Sequence, residues 1–69
     1  LAQARLTLGK FYARAEKWRQ AAVEFEQAAR NAPDVAETHY QLGRALARLK
    51  RTEESKTAFE TYKKLNETQ

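Results

Sequence analysis

The chain has 69 residues, 42% of them hydrophobic and 32% charged, with 13 Lys and Arg against 9 Asp and Glu for a formal net charge of +4. A chain this short forms one small domain that buries only about 60% of its unfolded surface, so its core is thin. The apolar set is mostly Ala and Leu, without Ile, Met or Cys, and two Gly and one Pro are all that interrupt strong helix formers; a β fold is excluded on these grounds.

The absence of Cys removes disulfides, thiol nucleophiles and thiolate metal sites. The single His39 has Val35, Ala36, Leu42 and Gly43 at i±3 and i±4 on a helix, none of which can join it on a metal. Ser55 is the only serine and has no oxyanion motif around it. Neither an enzyme nor a cofactor or metal is expected. No apolar run reaches the ~20 residues that span a bilayer. No signal-peptide pattern opens the chain. The reading is a soluble protein, cytoplasmic ahead of secreted, and the initial Leu1 marks a piece excised from a longer one.

In chain order, Leu8, Phe11, Tyr12 and Ala15 fall at helical spacing and predict a first helix over 2–15. Trp18, Ala21, Ala22, Phe25, Ala28 and Ala29 predict a second over 18–31. Pro33 lacks an N–H and disfavours helix in the residue before it, so Asn31 to Asp34 is a break. Asp34 is then expected to cap a third helix over 35–49, with Glu37 as the reciprocal half of a capping box. Thr52, followed by Glu53, Glu54 and Ser55, reads as the start of a fourth over 52–66.

Sliding the chain by 34 residues aligns Ala2/Ala36, Leu8/Leu42, Gly9/Gly43, Ala13/Ala47, Arg14/Arg48, Phe25/Phe59 and Glu26/Glu60 as identical pairs. The sequence is two copies of one helical hairpin, about 2–35 and 36–69, within a single 1–69 domain. Each mid-helix glycine costs about 1 kcal/mol relative to Ala. Close approach of the paired helix is expected to offset that, with Phe25 and Ala21, or Phe59 and Ser55, filling the space.

The spacing Leu8-Gly9-x-x-Tyr12, then Ala21-x-x-x-Phe25, Ala28 and Pro33, at a 34-residue period, resembles the tetratricopeptide repeat over the whole chain. Unit two departs from that pattern at His39, Leu46, Thr52, Ser55, Tyr62 and Glu67, like a terminal repeat. The resemblance implies an all-α fold of antiparallel helical hairpins stacked in a right-handed solenoid, and a protein-binding scaffold without catalysis. It also implies an inner face made by the first helix of each unit: Gln3, Leu6, Thr7, Lys10, Ala13 and Arg14, then Glu37, Tyr40, Gln41, Arg44, Ala47 and Arg48. The two-carboxylate clamp of some family members has Leu6, Lys10 and Gln41 at its positions here and is therefore incomplete.

Lys10/Arg14 and Arg44/Arg48 are like-charged i,i+4 pairs that cost helix stability. A basic groove for a partner protein or acidic peptide is the functional expectation, with Gln3, Tyr40 and Gln41 orienting the bound backbone; solvated charge on a basic surface is the plain alternative. Nucleic acid is not favoured, because acids are spread among the cations and the aromatics sit at repeat-core positions. The rival role is structural, as a segment of a longer solenoid. Ala58, Tyr62 and Leu65, with Phe59, are expected to expose an apolar stripe on the last helix through which the chain self-associates.

Overall fold

Helix formers broken at three short junctions give four helices in the computed structural model, which describes residues 1–67: α1 (Ala2–Arg14), α2 (Trp18–Asn31), α3 (Ala36–Arg48) and α4 (Thr52–Glu67). Residues 68 and 69, the end of the expected second unit, lie outside the described residues. The expected helices match these within one residue at each end. Helix α1 pairs with α2 and α3 with α4, while α2 lies against α3 and joins the two hairpins. The chain is all-α among the described residues.

Both hairpins turn by the same device, which no glycine announces. Glu16 and Lys50 adopt left-handed backbone, φ 61° and 62°. In the first turn the Glu16 N–H donates to the Ala13 carbonyl at 2.9 Å and Lys17 N–H to Tyr12 at 2.8 Å; Lys50 to Ala47 at 3.0 Å and Arg51 to Leu46 at 2.9 Å repeat the pattern. This is a Schellman closure that satisfies the last carbonyls of α1 and α3.

The capping expectation at α3 fails. Val35, in extended backbone, is the N-cap residue and makes no side-chain cap bond. Asp34 stands one position too early, and Glu37 is drawn across the molecule to Lys10 Nζ at 2.8 Å. The junction is held instead by His39 Nε2, which donates to the Pro33 carbonyl at 2.7 Å.

The core is Leu6, Ala13, Ala21, Ala22, Phe25, Ala28, Ala45, Leu46 and Ala58, with Tyr12, Trp18, Leu42 and Leu49 packed against it. The glycines do what their cost demanded. A Cβ on Gly9 would stand 2.5 Å from Phe25 Cε1, and one on Gly43 2.8 Å from Phe59 Cε1. Ser55 uses the same bare backbone, its buried hydroxyl donating to the Gly43 carbonyl at 2.8 Å.

Two expectations about apolar surface are corrected. Leu8, Phe11 and Ala15, whose helical spacing predicted the first helix, are exposed rather than on its buried side. Ala58, assigned to an open stripe on α4, is a core residue, while Phe59, Tyr62 and Leu65 are half-buried. The reason is register: Ala58 looks back toward α2 and α3, sharing a cleft with Ala29, Leu42 and Leu46. Tyr62 lies against Tyr40 with ring centroids 5.1 Å apart.

Candidate functional site

One row of polar side chains runs along each first helix at i, i+4, i+7, i+11: Gln3, Thr7, Lys10 and Arg14 on α1, and Glu37, Gln41, Arg44 and Arg48 on α3. This spacing keeps each row on a single face, and the 34-residue repeat places the rows side by side. Lys10, Arg14, Gln41 and Arg44, with Ala13 as floor, line one open cavity of about 280 Å³.

The cations in this groove are not equivalent. Lys10 is half-buried and paired with Glu37, the ion pair bridging α1 and α3. Arg44 Nη1 donates to Gln41 Oε1 at 3.2 Å. The guanidinium carbons of Arg44 and Arg48 stand 5.9 and 5.1 Å from the ring centroid of Trp18, within cation–π range. Arg14 is exposed at the groove wall. An exposed pair such as Lys10–Glu37 contributes at most about 1 kcal/mol, so a competing carboxylate can displace it readily.

Of the residues expected on this face, Lys10, Arg14, Gln41 and Arg44 come together around the cavity, and Arg48 lies next to them on Trp18. Gln3 stands at the far end of its row, its amide 3.5 Å from Thr7 Oγ1. Tyr40 points elsewhere: its ring packs on Phe59 and Tyr62 at the α4 edge. Leu6 and Ala13 are buried, so the open face is narrower than the six positions per unit implied.

The sequence reading did not place Trp18 beside the cations of this face, where the structure puts it. Its place at the opening of α2 marks it as a packing residue, which it partly is. Nothing in the sequence links it to two arginines 26 and 30 positions on except the repeat itself. Thr52 stands at its counterpart in unit two, so the arginine shelf is built once.

A second cleft of about 350 Å³ lies on the opposite side, where Ala29, Leu42, Leu46 and Ala58 form an apolar floor beneath Glu26, His39 and Glu54. Arg51 closes its rim, its Nη2 2.6 Å from Glu54 and 3.4 Å from Glu26. That hydrogen bond first, then the charge, holds the Glu54 carboxyl below its ordinary range and raises the Arg51 guanidinium. Among the described residues no three His, Cys, Asp or Glu side chains are grouped to hold a metal, and no helix is long and apolar enough to cross a membrane.

A family model described as tetratricopeptide repeat matches residues 36–69. No curated protein and no solved structure matches the chain. The matched span is the second hairpin, and the first repeats its helix order, its glycine-on-phenylalanine contact and its turn. Repeats of this kind are protein–protein interaction modules, and the second hairpin, the span that matches, belongs to the tetratricopeptide repeat family.

Proposed function

We propose that the groove between α1 and α3 binds an extended acidic segment of a partner protein. The observation that carries this reading is the gathering of Lys10, Arg14 and Arg44 around one cavity, with Arg48 fixed beside it on Trp18. Stacking on the indole holds the guanidiniums before a ligand arrives, so less side-chain freedom is lost on binding. Three of the four cations are Arg, whose planar fork suits bidentate carboxylate contact. Glu37 is the acid within the groove, and a peptide carboxylate can take its place on Lys10. No catalytic step is part of this reading.

Trp18 is the only tryptophan, so its fluorescence reads occupancy directly. The test titrates a twelve-residue oligoglutamate peptide, with the matching oligoglutamine as control, at low and moderate salt. The expected result is a change in Trp18 emission with the acidic peptide alone and weakening as salt rises. Arg14→Glu removes no intrachain pair among the described contacts and is expected to slow association at least about tenfold at low salt. Equal binding of both peptides, or an Arg14→Glu variant with unchanged rate and salt dependence, would leave only a solvated basic face.

A further inference from the structure

The 34-residue period gives each side chain of one hairpin a counterpart in the other, and at one pair of positions the two hairpins differ in kind. In the first, Arg5 on α1 and Glu24 on α2 form an ion pair, Nη1 donating to Oε1 at 3.2 Å, and the Glu24 side chain is only 16% exposed. Their counterparts are His39 on α3 and Ala58 on α4. His39 is turned to the Pro33 carbonyl, and Ala58 ends at its Cβ. The space that two long side chains occupy in the first hairpin is therefore left open in the second, where His39 and Ala58 both line a cleft.

That opening is the cleft of about 350 Å³ on the side away from the basic groove. Helix α2 bounds it with Glu26 and Ala29, α3 with His39, Leu42 and Leu46, and α4 with Glu54 and Ala58. Leu46 and Ala58 belong to the core, so the floor of the cleft is the core itself. Its volume lies at the lower end of the range for ligand pockets, roughly 300 to 1,000 Å³. One aromatic ring or a short alkyl chain fits there, whereas the face of a folded partner needs a far larger surface.

The charge at the rim decides what kind of molecule suits the floor. Two carboxylates, Glu26 and Glu54, share one cation, Arg51. The guanidinium engages both oxygens of Glu54, Nε at 2.9 Å and Nη2 at 2.6 Å, and reaches Glu26 only at 3.4 Å. Glu26 is thus a half-buried carboxylate with one loose contact, set beside an apolar floor. A neutral apolar molecule seated there would strip water from Glu26 without replacing it, and an anion would meet two like charges. A cation on an apolar body satisfies both surfaces at once, and Arg51, a guanidinium on an alkyl stem, already shows that chemistry at the rim.

We propose that the cleft between α2, α3 and α4 binds a small organic cation, an amine or guanidine carried on an aryl or short alkyl group. The apolar group lies on Leu42, Leu46 and Ala58, and the cation hydrogen-bonds to Glu26 while Arg51 keeps to Glu54. The site takes the opposite charge from the basic groove and lies on the other side of the molecule. Neither proposal depends on the other.

The test titrates the full chain with phenylpropylguanidinium and with its neutral counterpart phenylpropylurea, following the methyl resonances of Ala29, Leu42, Leu46 and Ala58 by NMR. Saturable shifts are expected from the guanidinium, with the urea binding at least about fivefold more weakly. Glu26→Gln should weaken the guanidinium by a similar factor. Arg51→Ala, which removes the competing cation, should tighten it roughly two- to threefold. His39→Arg with Ala58→Glu rebuilds the pair of the first hairpin inside the cleft and should abolish the shifts, with circular dichroism reporting that the variant is folded. Glu26→Gln changes only a side chain at the rim, so it tests the site even where that double variant does not fold. No saturable shifts from the guanidinium, equal binding of the two probes, unchanged affinity in Glu26→Gln, or a folded double variant that binds like the parent would each overturn the proposal.

Discussion

Phe25 and Phe59 are the same residue at the same place in two hairpins, each ring lying on a mid-helix glycine. Phe25 is 0% exposed and Phe59 only half-buried. The difference is in the neighbours: among the described residues α2 is sandwiched between α1 and α3, whereas α4 packs against α3 alone. Ala21 and Ala28 beside Phe25 are fully covered, while Tyr62, the counterpart of Ala28, is half-open. In a repeat structure, then, burial follows from position in the stack as much as from the residue, because each unit supplies part of its neighbour's core.

The largest way to break this comparison is to remove the rings. Phe25→Ala is expected to cost about 3–5 kcal/mol. A core of this size supplies about that much altogether, so the variant should lose most of its helical circular dichroism at 25 °C. Phe59→Ala should cost roughly half as much and melt as a folded chain with a lowered midpoint. Equal losses in urea unfolding would mean that α4 is covered in solution by something the fold does not show.

The glycines sharpen the same contrast. Gly9→Ala drives a methyl to 2.5 Å from a ring with no room to retreat, and about 1–3 kcal/mol of overpacking is expected. At Gly43 the ring of Phe59 can shift toward solvent. The roughly 1 kcal/mol gained in helix propensity by Gly43→Ala then offsets the crowding and leaves the midpoint near its starting value. Gly43→Leu overfills even that space and should lose about 1–3 kcal/mol. A raised midpoint for Gly9→Ala would remove the close-packing account of both sites.

These glycines were legible in the sequence because an unfavourable residue repeated at a fixed period demands a structural reason. So were the four helices, through period and the Pro33 break. The surroundings of each helix were not. Helical spacing marks Leu8 and Phe11 as apolar but cannot tell an inward face from an outward one, and in α1 the two merge into one broad arc. The same ambiguity put Ala58 on an open stripe. Asp34 misled because capping is decided by the backbone of a single residue, and Val35 takes the extended conformation that would have made Asp34 the cap. Lys10, Arg14 and Arg44 could be gathered from the repeat register, whereas Trp18 joined them through a contact between units that no local pattern encodes.

The hairpin turns depend on local geometry, so here the two units should respond alike. Glu16 and Lys50 hold left-handed backbone that favours glycine. Relief of that strain exceeds the entropy glycine adds to the unfolded chain, and Glu16→Gly and Lys50→Gly are each expected to gain about 0.5–1 kcal/mol. The two gains should nearly add in the double variant: the turns flank one cleft, lined by Glu16, Lys17, Trp18 and Leu49, but each strain is relieved within its own backbone. A gain confined to one turn, read in paired thermal melts, would show that even this local element senses its place in the stack.

The smallest expected effect separates the two units by charge. Arg51 grips Glu54 through Nε at 2.9 Å and Nη2 at 2.6 Å, whereas the unit-one counterparts Lys17 and Gln20 cannot form an ion pair. The hydrogen bond from Arg51, followed by its charge, keeps the Glu54 carboxyl below its ordinary value of 4.5. The folded state therefore favours the ionised form. The stability this adds is complete above pH 4.5 and is lost as pH falls through that value toward the lowered one. Arg51 moves upward and stays charged throughout the accessible range. Both side chains are largely in water, so salt screens the pair and its worth at neutral pH is small. Glu54→Gln should thus shift the midpoint at pH 7 by less than about 3 °C. Its main signature should be a flatter decline of the midpoint between pH 5 and pH 3 than the parent chain shows. If parent and variant decline in parallel, Arg51 grips Glu54 no more tightly in the folded state than in the unfolded one.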